Sequence, residues 1–339
     1  MDPDPLESMN VPSIKFDSKL LALVVLLLAS GCIERELPIA PRPPGPTTTS
    51  AVGIGANYAQ RVYFDLPSAS AVASHDKLAW DLAFSAAGSP TMRINSSRFC
   101  RLARTEIFDF DASIDAEQLS VLPWEADAEE GPQFFTASAP QGELLLDELL
   151  LLNLGYGLDN APLGHMRLML DSVDLMGYHI RFSPLENPEL VQSAVIPYSA
   201  ERHWQHYSLL SAALATLEPP SAQWQLLFTQ YTAVLDGVTP YLVTGVLTPS
   251  PEILVCDMGH TPVKEVLEAN WDLLQWSSQW NAIGYDWKAY DFDLAAYSVD
   301  TERSYAIRNG DGREFVLQFV DFYDAAGDGG YMTFSAVER

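Results

Sequence analysis

The sequence predicts a mainly β protein, built as two tandem, antiparallel, β-rich modules after an export signal and a Pro-rich tether. Three observations predict this. A repeat at an offset of 144 residues sets Tyr63-Phe64-Asp65-Leu66 and Trp80-Asp81-Leu82-Ala83-Phe84 against Tyr207-Ser208-Leu209-Leu210 and Trp224-Gln225-Leu226-Leu227-Phe228, with seventeen residues from Tyr to Trp in both copies. Within each copy Trp, Leu and Phe fall at i, i+2 and i+4, which places them on one face of a half-buried strand. Finally, Asn309-Gly310-Asp311-Gly312 separates two apolar runs. Asn-Gly and Asp-Gly tolerate the positive φ of tight turns, so this is a hairpin signal.

The two copies also end alike. In the first, residues 149–155 lead through a loop at 157–164 into His165-Met166-Arg167-Leu168-Met169-Leu170 and then Tyr178-His179-Ile180-Arg181-Phe182. In the second, Tyr305-Ala306-Ile307-Arg308 leads through the Asn-Gly-Asp-Gly turn into 313–319 and then Tyr331-Met332-Thr333-Phe334. The matching order sets modules at residues 50–186 and 190–339. The run 144–154 suits a strand or a helix. A chain of 339 residues is long enough for about two domains. With 48% hydrophobic and 19% charged residues it is globular rather than disordered. Its 45 acidic residues against 19 basic ones, a net charge of −26, repel nucleic acid and suit a solvated surface.

The amino end reads as an export signal. Lys15 and Lys19 precede an apolar run at 20–29, and Ala29-Ser30-Gly31-Cys32 follows. A run of about ten residues is too short to span a bilayer as a helix, whereas a basic start, a short apolar stretch and small residues describe a cleavable lipoprotein signal. Residues 1–31 would be removed and Cys32 acylated; two or three acyl chains anchor a protein stably. Both Met1 and Met9 are candidate starts, since the stretch before Lys15 is acidic for a signal. Residues 32–49, with Pro38, Pro41, Pro43, Pro44, Pro46 and Thr47-Thr48-Thr49, form an extended tether. The partners implied are a membrane, through lipid at Cys32, and an extracytoplasmic ligand; the location is the outer membrane or cell surface. Cys100 and Cys256 then remain, as a disulfide across the halves or as two buried thiols. Neither has metal-ligand spacing.

The strand and turn motifs, Trp80-Asp81-Leu82-Ala83-Phe84 and 305–313 through Gly330-Tyr331-Met332-Thr333-Phe334, resemble those of the HmuY-like lipoproteins of Bacteroidetes, once per module. The resemblance implies a β-rich fold and a binding role, because founding members capture haem and pass it to an outer-membrane receptor. It also implies two axial iron ligands, usually His, between the Trp-Asp strand and the last hairpin. No His lies between Phe84 and Leu149, and only His260 between Phe228 and Tyr305. Two-histidine ligation within one module is therefore not expected. Met258 and His260, at i and i+2, form a Met/His pair if they share a strand face; otherwise His260 is a turn histidine.

Trp271, Trp276, Trp280 and Trp287 crowd one stretch. Such rings fill β cores, and in a loop they also stack on a porphyrin or a sugar. The expected ligand contacts are thus His260, Met258, Trp276, Trp280 and Trp287, with haem as the first ligand and a glycan or protein as the alternative. His203 and His206, at i and i+3, would share a metal on a helix but are separated on a strand, so they read as surface histidines. Asp321, Asp324 and Asp328 lack calcium-loop spacing and read as an acidic hairpin turn. Gly53-Ile54-Gly55 lacks the third Gly of a phosphate loop, and no Ser sits in a nucleophile elbow. A non-enzymatic protein is expected.

Overall fold

A computed structural model describes residues 44–127, 146–235, 239–249 and 251–339. The signal at 1–31 and Cys32 lie outside the described residues. The first half contributes β1 (Thr48–Gly53), β2 (Gln60–Asp65), β3 (Ser70–Asp76), β4 (Leu82–Ser85), β5 (Met92–Ile94), β6 (Arg101–Arg104), the short helix α1 (Ala116–Val121), β7 (Glu125–Ala126), β8 (Leu150–Asn153), β9 (His165–Asp174), β10 (Gly177–Pro184) and β11 (Gln192–Ile196). The second half contributes β12 (Trp204–Ser208), β13 (Ala213–Ala215), β14 (Leu226–Leu235), β15 (Thr239–Leu247), β16 (Leu254–Asp257), helix α2 (Val263–Glu268), β17 (Lys288–Asp291), β18 (Ala296–Val299), β19 (Ser304–Arg308), β20 (Glu314–Tyr323) and β21 (Gly329–Glu338). The protein is mainly β, and its named strands pair antiparallel. No helix of the described residues is long and apolar enough to cross a membrane.

The sheet orders of the two halves can be set side by side. One sheet runs β13-β12-β4-β5 and another β3-β2-β14-β15; exchanging each strand for its counterpart in the other half converts one into the other. The outer sheets correspond in the same way, β11-β10-β9-β8-β6 with β7 at its edge and β1-β21-β20-β19-β16. The halves nevertheless share sheets. β2 pairs with β14, β4 with β12, and β1 with β21. Residues Pro43–Arg339 form one compact unit.

Each outer sheet packs on a four-stranded one. Phe64, Phe228, Phe319, Phe334 and Trp287 fill one core, and Phe84, Leu102, Leu152, Leu168 and Phe182 the other. The remaining faces of the two four-stranded sheets meet in a seam. There Thr232 Oγ1 donates to Ser96 O at 2.7 Å, and the Arg93 guanidinium sits 4.0 Å from the centre of the Trp280 ring.

Several local expectations change. Trp80 does not share a face with Leu82 and Phe84: pairing of β4 begins at Leu82, and Trp80, two residues ahead of it, turns into the seam while Leu82 and Phe84 enter a sandwich core. Trp224 sits likewise before β14. The tether gives way to strand at Thr48, because the edge of β21 offers β1 a ladder. Run 144–154 contains strand β8 in its described part. Cys100 and Cys256 are free, buried thiols in different clusters. The Asn309–Arg313 hairpin forms as expected, with Asn309 N–H donating to Arg313 O at 3.0 Å and Gly312 at φ +77°. Asp324 and Asp328 close the β20–β21 turn, Asp324 N–H donating to Asp328 O at 3.0 Å.

The residue after each Trp ties the halves together. Asp81 N–H donates to Tyr207 O at 2.9 Å, its Oδ2 accepts from Leu209 N–H at 2.5 Å, and its Oδ1 takes the Arg98 guanidinium. In the other copy Gln225 N–H donates to Phe64 O at 3.0 Å and Gln225 Oε1 accepts from Leu66 N–H at 2.7 Å. Asp81 and Arg98 are both buried, so removing the carboxylate strands a cation. Asp81→Ala is expected to cost about 3–5 kcal/mol in urea unfolding; a loss below about 1 kcal/mol would show that the pair does not hold the seam.

Candidate functional site

At one end the seam opens into a cleft of about 730 Å³. That lies within the roughly 300–1,000 Å³ of small-molecule sites. Its apolar walls are Trp204 from β12, Trp224 and Leu227 at β14, Leu247 from β15, and Trp280 from the loop before β17. Its polar groups include Arg93 from β5, Arg202, His203 and Glu252, with Ser85 at the end of β4 and Ser89 in the loop after it. Both halves supply this lining because both supply strands to each inner sheet.

Three polar groups are held in place. Arg93 Nε and Nη2 grip Asp127 at 2.9 and 3.1 Å, leaving the guanidinium face over Trp280. Arg202 Nε donates to Glu218 O at 2.7 Å. Glu218, only 2% exposed, accepts from His203 N–H at 2.7 Å and Trp204 N–H at 3.1 Å, which fixes the segment carrying both side chains. Burial pushes the His203 pKa down, opposed by Glu252, whose Oε2 lies 3.7 Å from Nε2. His203 is therefore neutral near pH 7, and its Nε2 has no hydrogen-bond partner among the described residues. A neutral imidazole keeps a lone pair for a metal.

The five residues expected from the sequence do not gather here. Trp280 lines the cleft. Trp287 is fully buried, stacked on Phe319 at 4.0 Å, its Nε1 donating to Gly284 O at 3.2 Å. Trp276 donates to Trp271 O at 3.1 Å beside α2. Met258 packs in that same cluster. His260 is exposed in the turn after β16, its Nε2 2.8 Å from Asp300 Oδ2, which raises its pKa. β16 ends at Asp257, so Met258 and His260 share no strand face.

His203, Trp204, Trp224, Arg93 and Glu218 were not singled out as ligand contacts. The His203-Trp204-Gln205-His206 motif carried a signal, but the surface reading fails for His206. That ring is 4% exposed and meets Trp80 edge-on at 4.9 Å, because β12 is an interior strand whose second face is covered by the seam. Arg93 and Glu218 had no sequence signal. Among the described residues no three His, Cys, Asp or Glu side chains converge as a metal site.

The HmuY protein family model matches residues 57–335, and the chain belongs to this family. The match runs through both halves, not once in each. Apo PinO from Porphyromonas gingivitis is similar at 8% identity over 87% of this chain and 98% of that one, with a TM-score of 0.34. The apo HmuY analog of Tannerella forsythia is similar at 7% identity over 88% of this chain and 99% of that one, with a TM-score of 0.34. No curated protein matches.

Glu218 makes the site sensitive to pH. Burial, its largest influence, raises its pKa from 4.5 to about 7 despite the donors around it. The folded protein thus keeps a proton that the unfolded chain releases near pH 4.5. Its stabilising effect is full below about 4.5 and is lost as pH rises to about 7, a change of roughly 3 kcal/mol. Unfolding free energy measured between pH 4.5 and 7.5 is expected to fall in the native chain and to flatten in Glu218→Gln; equal slopes would exclude Glu218 as the cause.

Proposed function

We propose that this chain is an exported, lipid-anchored binding protein of the outer membrane or cell surface, which holds a flat aromatic ligand of the haem type in the tryptophan cleft and does no chemistry on it. The observation that carries this reading is the cleft itself, where three indoles, two guanidinium groups and one neutral imidazole converge. Indole faces suit a porphyrin plane, Arg93 and Arg202 suit its carboxylates, and His203 Nε2 suits its iron. Membership of the HmuY family makes haem the first ligand to test. His203 would supply one axial nitrogen; among the described residues no second His and no Met lines the cleft. We further propose that the halves, at residues 50–186 and 190–339, are duplicates of one ancestral unit, supported by the interchangeable strand orders.

A second reading, binding of an envelope glycan or protein, is favoured by the β17–β18 hairpin, where Phe292 and Leu294 are 88% and 76% exposed. Retention on glycan arrays without any haem response would favour it.

Titration of the mature protein with hemin is expected to shift the Soret band saturably. His203→Ala should change the band and weaken binding at least tenfold, about 1.4 kcal/mol, and Trp280→Ala should weaken it similarly. An unsaturable shift in the native protein would sink the haem reading. For the anchor, the intact mass of membrane-recovered protein is expected to show cleavage before an acylated Cys32, and Cys32→Ser should stay unprocessed. An unmodified Cys32 in mature protein would exclude the anchor.

A further inference from the structure

Behind the cleft the seam closes on a second cavity of about 60 Å³, which shares Arg93, Trp204, Leu247 and Trp280 with it. A water needs about 10–15 Å³ of such space, so this cavity admits a small polyatomic group. Its wall is rich in donors, with His206 and the Ser97 and Thr229 hydroxyls as groups that can also accept. Arg61, Trp80, His206 and Trp280 line it, all at least nine-tenths buried, and Arg61 Nε, Trp80 Nε1, His206 Nδ1 and Trp280 Nε1 have no hydrogen-bond partner among the described residues. Guanidinium and indole nitrogens only donate.

Two nearby acceptors are already used. Gln230 Oε1 takes Lys77 Nζ at 2.6 Å, and Ser96 O takes Thr232 Oγ1. Among the described residues no carboxylate lines the cavity. Arg93 has Asp127 and Arg98 has Asp81, but Arg61 has no ion pair among the described residues. Its guanidinium lies 5.3 Å from the centre of the Tyr63 ring and 5.1 Å from that of Trp80. Glu218, the carboxylate whose charge it feels, is held by the His203 and Trp204 amides. Arg61 thus has only Glu218, held elsewhere, and the Tyr63 side chain to offset its buried charge among the described residues, and a further anion would be favourable there. In a chain with 45 acidic residues, a carboxylate could readily have filled that place.

We propose that this inner cavity binds a small monoanion of carboxylate size, held by Arg61 and by the indole N–H groups of Trp80 and Trp280. The anion is either free or the carboxylate arm of a ligand lying in the cleft, since the two cavities share a wall. The site stands whatever the cleft ligand is.

The test uses the mature chain in a buffer whose anion is a bulky sulfonate, titrated with sodium formate by calorimetry and by thermal unfolding. Binding of one formate is expected, with a saturable rise in Tm, because a ligand of the folded state alone stabilises it by mass action. Arg61→Gln should weaken formate at least tenfold. Trp80→Phe, which keeps the ring and loses only the N–H, should do the same and stands in if Arg61→Gln fails to fold by circular dichroism. No saturable response in the native protein, or an unchanged affinity in the folded variant, overturns the proposal and leaves the cavity to water. Competition of formate by hemin but not by its dimethyl ester supports the carboxylate arm as the source. Formate binding indifferent to both supports a free ion.

Discussion

The constraint on which the rest depends is strand exchange between the halves. β2 and β3 complete a sheet with β14 and β15, while β12 and β13 complete one with β4 and β5. Neither inner sheet exists in half a chain. Each pairing is fixed where a polar side chain, Asp81 or Gln225, reaches the backbone of a strand from the opposite half. These are long-range contacts, and buried amides left without them would each cost about 1–3 kcal/mol. The seam is therefore as cooperative as the cores that flank it.

The seam is also where the protein concentrates positive charge. Its overall charge is −26, yet Arg61, Lys77, Arg93 and Arg98 are all buried or nearly so around the two inner sheets. An acidic surface keeps the protein dispersed in solvent and unattractive to polyanions. Inside, the dielectric is low, and each contact of these cations counts for more than it would at the surface. Tryptophan faces lie beside guanidinium groups in this interior, Arg93 over Trp280 and Arg61 beside Trp80.

Much of the fold was legible because it depends on local periodicity. The Tyr-to-Trp spacing, the alternation through Leu82 and Phe84, and the Asn309-Gly310 turn each report one strand or one hairpin, and those elements stand where they were expected. The site was much less legible. Trp287 and Trp280 lie seven residues apart in one stretch, yet one stacks in a core on Phe319 and the other lines the cleft. Residue type could not separate them, since a tryptophan fills a core and stacks on a ligand with the same ring.

What the sequence by itself determined is the β class, individual strands and turns, and the resemblance to a binding family, because periodicity and turn chemistry act between neighbours in the chain. Only the tertiary structure decided which strands of the two halves pair, and so which side chains face the seam. His206 became a buried ring and His203 a cleft residue through the placement of β12 inside a sheet, beside β4. That placement rests on contacts more than a hundred residues apart, whose closure is governed by packing and loop entropy rather than by any local pattern.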